Sequence, residues 1–427
     1  MKTGFKRITN YISRWIKWSV AKIIGRADSK NILFWPHGNC RFDGYDILNG
    51  ESDNVLCLLN DLLRDSKFNR YHFYIVYHFK DRLNSYLDYC KPFDISRIHF
   101  VFYESPMGVP VAFSKCKYIF TDNTFGRFYK KTSQKVICLN YFAGFIKDDF
   151  FKWEKRGGFK RMLKQQRRMY NNYDYHLSCS AISSKFIALD NCMYYPRFVN
   201  LGFPRNDVFF KDYTELRKKI EEIVGFKVDH IISYVPTHRD YESSTSSFKF
   251  LYDKEHAVNR TLWGVVPQEE FDMLEKLLQE TNTLVIAKIH PRQEKSLVSG
   301  GSGKHILYFS ELSKHIKTSL NPILAISDYM ITDYTTAVYD FLYTGRPIIY
   351  YFYDFEVYKN ARGFFINPIQ SICAGHISYN MKELISAIKE LTAGNDPYAE
   401  KRKFIQELFI KDLDGNSTNR IKEYFFN

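Results

Sequence analysis

The sequence predicts an α/β protein built from two Rossmann-like, doubly wound parallel sheets. Three observations predict it. Short apolar runs alternate with amphipathic stretches along most of the chain, which is the pattern of parallel strands joined by crossover helices. At 427 residues the chain exceeds one ordinary core, so two domains of roughly 150–200 residues are expected. Between Leu324 and Phe352 a strand, a hydroxyl-rich turn, a helix and a second strand follow one another.

Composition narrows the class. An apolar fraction of 45% is that of a globular protein, and a net charge of +14 points to an anionic partner such as nucleic acid, anionic lipid or a phosphate-rich substrate. Aromatics reach 17%, which suits polar or glycan-like ligands or a membrane interface, with biased codon usage as the alternative. Eight cysteines form no Cys-x-x-Cys pair and read as scattered reduced thiols of a cytoplasmic protein. No apolar run reaches transmembrane length, and the N-terminus lacks the unbroken apolar core of a signal peptide. The basic residues are spread out and match no nucleic-acid module, so no nucleic-acid partner is expected.

Residues 1–28 form the first segment. Phe5, Ile8, Ile12, Trp15, Ile16, Val20 and Ile23 recur at helical spacing among seven Lys and Arg, with no acid before Asp28. A basic amphipathic helix carrying Trp15 and Trp18 predicts a membrane-surface anchor, the alternative being a helix packed on the protein itself. Residues 29–207 are expected to form the first domain, with strands at 30–35, 71–79, 98–103, 118–121 and 136–140. Ser52-Asp53-Asn54 caps a helix running to about Arg64. Residues 208–395 form the second domain, with strands at 230–235, 283–289, 324–331 and 347–352. Residues 396–427 supply two closing helices, and the Ser-rich stretch 241–265 reads as a flexible loop. Ser299-Gly-Gly-Ser-Gly-Lys304 fails the spacing of a phosphate loop and reads as surface.

The chemistry gathers at the ends of second-domain strands. Thr332 and Asp333 are good N-cap residues, and Thr335 to Tyr343 reads as a helix that Gly345 ends. A strand end meeting a helix N-terminus offers free N–H groups and a positive dipole end, and Thr335 and Thr336 add hydroxyl donors; the combination suits a phosphate. Thr237 and Arg239 follow the strand ending at Val235, where a diphosphate contact or a plain Arg239–Asp240 pair are the two readings. Lys288 and His290 follow the strand beginning at Thr283, where they can neutralise phosphate oxygens or protonate a leaving group. No metal-ligand spacing and no cofactor motif is present in the sequence.

Thr332-Asp-Tyr-Thr-Thr336, Asp340-Phe341, Arg346-Pro347, Tyr353-Asp354 and Arg362-Gly363-Phe364 together resemble the signature of the CDP-glycerol glycerophosphotransferases, the teichoic-acid primases and polymerases. That family usually has Ser at positions 335 and 336. Ser52-Asp53-Asn54, Gly202-Phe-Pro-Arg-Asn-Asp207, Pro236-Thr-His-Arg-Asp240 and Lys288-Ile-His-Pro291 resemble further family motifs in the right order. The resemblance implies a GT-B architecture, with an acceptor domain first and a donor-binding domain second. It implies that an acceptor hydroxyl attacks the β-phosphorus of CDP-glycerol, or of a related CDP-alditol, and that CMP leaves. The implied acceptor is a lipid-linked or polymeric phosphate chain at the cytoplasmic face of the membrane. The residues the resemblance assigns to donor binding are Thr237, Arg239, Lys288, His290, Tyr334, Thr335, Thr336, Asp340 and Arg362, with His290 and Asp333 also catalytic.

One position departs from the family. Its presumed base is a His after a first-domain strand, and Phe142 stands there. His37, or a carboxylate such as Asp43 or Asp148, supplies the base instead, or transfer is lost. Two rival functions stay open: a nucleotide-sugar GT-B glycosyltransferase or epimerase, and a non-catalytic polymer-binding subunit at the membrane.

Overall fold

The computed structural model describes residues 13, 15–36, 53–122, 130–139, 158–160, 163–164, 167, 172–190, 192–237, 262–289 and 303–427. Two compact units divide the chain. Met1–Phe142, Lys160–Asp207 and Asn416–Asn427 make the first, Ala143–Phe159 and Val208–Gly415 the second.

The first unit carries seven strands: β1 (Asp28–Trp35), β2 (His72–Tyr77), β3 (Ile98–Phe102), β4 (Cys116–Thr121), β5 (Lys135–Cys138), β6 (Tyr175–Leu177) and β7 (Phe198–Val199). They lie in the order β3-β2-β1-β4-β5-β6-β7 and pair in parallel throughout. Ile32, Leu33 and Phe34 in β1 are fully buried, as a central strand covered on both faces requires. The strand order reverses between β1 and β4, and ligands of such sheets bind outside the strands' carboxyl ends at that point.

A helix over residues 15–24 (α1) packs on this unit. Trp18, 5% exposed, meets the ring of Phe113 edge-on at 5.0 Å, and Ala21 is fully buried. So Trp18, grouped by sequence with the membrane-facing aromatics, faces the protein. Trp15, Ile16, Val20, Ile24 and Ile23, the last 82% exposed, face outward.

The second unit has six strands: β8 (His230–Val235), β9 (Thr283–Ala287), β10 (Ile306–Tyr308), β11 (Tyr329–Thr332), β12 (Ile348–Tyr351) and β13 (His376–Ser378). Their order is β10-β9-β8-β11-β12-β13, again all parallel, with the reversal between β8 and β11. One face packs Ile232, Tyr234, Val285, Ile331 and Ile349 against the helices Gln268–Glu280 and Met381–Thr392. The other packs Ile231, Leu284 and Ile286 against Leu312 and Ile323.

Several local expectations change. The strand expected at 324–331 is a helix, Leu320–Ile326, followed by β11. Pro322 sits in the first turn of that helix, where its missing N–H costs nothing, and the Ser327 hydroxyl closes the end on Ile323 O at 2.7 Å. Leu262 and Trp263, read as part of a flexible loop, are core residues, Trp263 with no exposure. The closing helices separate: Ala399–Phe409 belongs to the second unit, while Ser417–Phe426 (α2) returns to the first. Asp207 holds the start of α2 by accepting from Ser417 N at 2.9 Å and Thr418 N at 2.8 Å.

Candidate functional sites at the sheet switch points

In the second unit β8 and β11 are neighbours, with Val235 beside Thr332. The Thr332 hydroxyl donates to Val235 O at 3.1 Å, which locks the two strand ends together. Asp333 then accepts from Thr237 N at 2.7 Å and from Tyr334 N. It therefore does not cap the following helix. It ties the β8 exit to the β11 exit across the switch point and is 1% exposed.

Tyr334 is fully buried. Its ring stacks on Tyr358 at 3.8 Å and on Phe352 at 4.9 Å, and its hydroxyl donates to Asp354 at 3.2 Å. A ring covered on both sides supports the turn from beneath and is not available to a ligand. Asp340 is also buried, and a carboxylate there would repel a phosphate; it too belongs to the support. The sequence expectation set all three against the donor, whereas here they are buried and only Thr335 and Thr336 of the turn stay half-exposed.

Thr335 and Thr336 remain half-buried at the turn itself. The helix after them is shorter than expected: Ala337–Phe341, then a 3-10 turn Leu342–Thr344 that Gly345 ends at φ +67. Five helical residues align few peptide dipoles, so the helix contributes little field at this turn and the two hydroxyls are its main polar groups. Lys288 follows β9 directly; its N donates to Tyr234 O at 2.8 Å and its ammonium lies 5.3 Å from the Phe309 ring centroid. Thr237 is 5% exposed, with its backbone used by Asp333. Arg346, part of the signature, is spent on the fold: its guanidinium donates to Ala325 O at 2.8 Å and Ser327 O at 2.7 Å. Arg362 ends the helix Phe355–Arg362. His37, Arg239 and His290 lie outside the described residues, as do Asp43, Phe142 and Asp148.

The first unit has its own polar cluster at the switch point between β1 and β4. Asp53 caps the helix Asn54–Arg64, accepting from Val55 N at 2.8 Å and Leu56 N at 3.1 Å. Asn54 donates to Leu139 O, just past β5, at 2.9 Å and accepts from Arg205 N at 3.2 Å. Two motifs 151 residues apart thus meet in one place. Asp122 follows β4 and hydrogen-bonds Asp53 through its side chain. Burial first, then the Asp53 charge and that bond, push the Asp122 carboxyl up to about 10; the Arg205 charge opposes them. Sequence reading missed Asp122, because a lone Asp after a short strand carries no motif.

The family of CDP-glycerol:poly(glycerophosphate) glycerophosphotransferases matches residues 48–427. The chain belongs to this family. Among its relatives is the teichoic acid ribitol-phosphate polymerase TarK of Staphylococcus aureus (strain NCTC 8325 / PS 47), 26% identical over 327 residues, 74% of this chain and 58% of that protein. The teichoic acid glycerol-phosphate primase of Bacillus subtilis (strain 168) is 25% identical over 325 residues, 73% of this chain and 74% of that protein. The match thus spans little more than half of TarK. The solved structure of the wall teichoic acid polymerase TagF resembles this one with a TM-score of 0.71 at 18% identity, over 100% of this chain and 97% of that one. At that identity the likeness establishes the GT-B fold of the family and leaves the chemistry to the residues.

Proposed function

We propose that this member of the family transfers an alditol phosphate from CDP-glycerol, or a related CDP-alditol, to a hydroxyl of an anionic lipid-linked or polymeric acceptor. The acceptor oxygen bonds to the β-phosphorus, the bond from that phosphorus to the bridging oxygen breaks, and CMP leaves with the bridging oxygen. The carrying observation is the Thr335–Thr336 turn, held by Asp333 at the switch point of the second sheet, on a chain whose motifs match the family from residue 48 onward. In this reading the second unit binds the donor. Thr335 and Thr336 donate to its diphosphate, with Lys288, Arg239 and His290 neutralising the leaving phosphate. The net charge of +14 suits both substrates.

The test is CMP release by the purified protein from CDP-glycerol and CDP-ribitol, with and without a lipid-linked glycerophosphate acceptor. Acceptor-dependent CMP is expected. UDP release from UDP-sugars, with no CMP from either CDP-alditol, would turn the reading to a glycosyltransferase or epimerase. Nucleotide or polymer binding without any release would favour the non-catalytic subunit that Phe142 suggests.

We also propose that the chain works at the cytoplasmic face of the membrane, resting on it through α1. Among the described residues no helix is long and apolar enough to cross a bilayer. The outward residues Ile16, Val20, Ile23 and Ile24 lie beside Lys17, Lys22 and Arg26, an apolar strip flanked by cations as an anionic surface would favour. Replacing both Ile23 and Ile24 with Asp is expected to move the protein from the floating to the soluble fraction with anionic vesicles; unchanged flotation would remove α1 from the attachment.

A further inference from the structure

We infer that Gly264 is a positioning residue for the donor turn, acting through Tyr353, Asp354 and Tyr334. The inference rests on the transferase reading above, in which Thr335 and Thr336 hold the donor's diphosphate. Every residue in it belongs to the second unit.

Gly264 has a fixed seat. The Leu262 carbonyl accepts from the Tyr234 hydroxyl at 3.3 Å, and the Trp263 carbonyl accepts from the Tyr351 hydroxyl at 3.1 Å. Residues of β8 and β12 therefore both hold the segment that leads into this glycine. Gly264 itself is buried and has φ +87, a left-handed conformation that glycine adopts freely and residues with a Cβ do not. Its missing side chain makes room for a ring. A Cβ built there would lie 2.8 Å from Tyr353 Cδ2, 3.0 Å from Cε2 and 3.3 Å from Cγ, so the glycine backbone lies directly against the Tyr353 ring. Tyr351 meets the same ring, with centroids 5.3 Å apart.

Tyr353 passes this contact on to the donor turn. Tyr353 and Asp354 are the two central residues of a tight turn that Phe355 N closes on Phe352 O at 3.1 Å. Phe352 N donates to Ser378 O at 2.7 Å, which fastens that turn to the end of β13. So short a closed turn has little freedom, and displacing Tyr353 moves Asp354 with it. Asp354 stands at the N-cap position of the helix Phe355–Arg362, yet its side chain makes no cap there. Its Oδ1 accepts instead from the Tyr334 hydroxyl at 3.2 Å, and Tyr334 is the residue before Thr335. The stacks on Phe352 and Tyr358 hold the Tyr334 ring in its plane; the bond to Asp354 sets where along that plane it rests. An unbroken path of contacts and covalent bonds thus runs from Gly264 to the two threonine hydroxyls.

The test is calorimetric binding of CDP-glycerol together with the kinetics of acceptor-dependent CMP release. Gly264→Ala drives a methyl into the Tyr353 ring. It is expected to weaken CDP-glycerol binding and to lower kcat/KM for the donor at least ~10-fold, with KM for the acceptor unchanged, since a misplacement of about an ångström costs up to ~100-fold. Tyr334→Phe keeps both stacks and removes only the hydroxyl, and the same donor-selective loss of at least ~10-fold is expected. In a Tyr353→Ala background, Gly264→Ala is expected to cost less than ~3-fold, because two residues on one path couple. Donor binding and kcat/KM within about threefold of the parent in Tyr334→Phe would overturn the inference, and this variant decides if Gly264→Ala does not fold. An equal cost of Gly264→Ala with and without the Tyr353 ring would overturn it too, since the glycine would then act by some other route. A parent protein that neither binds CDP-glycerol nor releases CMP would instead overturn the transferase reading and this inference with it.

Discussion

Asp333→Ala is expected to reduce acceptor-dependent CMP release at least ~100-fold, while Asp333→Asn stays within ~10-fold of the parent, as displacement of a positioned turn by about an ångström predicts. The reason is the use to which the carboxylate is put. A single Asp333 oxygen accepts from the backbone N–H groups of Thr237 and Tyr334, which joins the exits of β8 and β11. Alanine leaves both buried donors without an acceptor, at about 1–3 kcal/mol for such a group, and the turn presenting Thr335 and Thr336 relaxes. Asparagine still offers a side-chain carbonyl oxygen in nearly the same place. The measurement is initial-rate CMP release for the three proteins, with circular dichroism melts to confirm that each is folded. If Asn is as inactive as Ala, the negative charge itself is needed and Asp333 is chemical rather than positional.

Trp263→Ala is expected to destabilise the second unit by about 3–5 kcal/mol, the usual cost of emptying a large aromatic site. Trp263 is fully buried, stacks on Tyr234 at 4.6 Å with an interplanar angle of 11°, and its carbonyl accepts from the Tyr351 hydroxyl at 3.1 Å. Tyr234 and Tyr351 lie in β8 and β12, on either side of β11, so the indole braces the sheet across its switch point. Urea unfolding followed by tryptophan-independent circular dichroism reads the effect. A loss of stability below about 0.5 kcal/mol, the size of an ordinary surface change, would mean that the site collapses around the smaller residue.

The two sheets were legible in the sequence because central parallel strands are apolar on both faces and read as unbroken runs. His230–Val235 coincides with its expected bounds. The shortest strands were not legible. β6, β10 and β13 have three residues each and β7 has two, too few for any period to register. At the site, the motifs placed Thr335 and Thr336 on a turn after a buried strand, where they are found. They could not say which way Asp333, Tyr334 and Asp340 face, since a motif carries residue types and a turn distributes their directions.

By itself the sequence determined the α/β class, the two sheets, the family and the hydroxyl-bearing turn, because these depend on local pattern and on residue order. Tertiary structure decided the rest. It brought Asn54 to Arg205, set Asp53 beside Asp122, buried Trp263 and sent α2 back to the first unit under Asp207. Each of these joins groups far apart in the chain, and what fixes them is burial and hydrogen-bond satisfaction, which exist only once the sheets have formed.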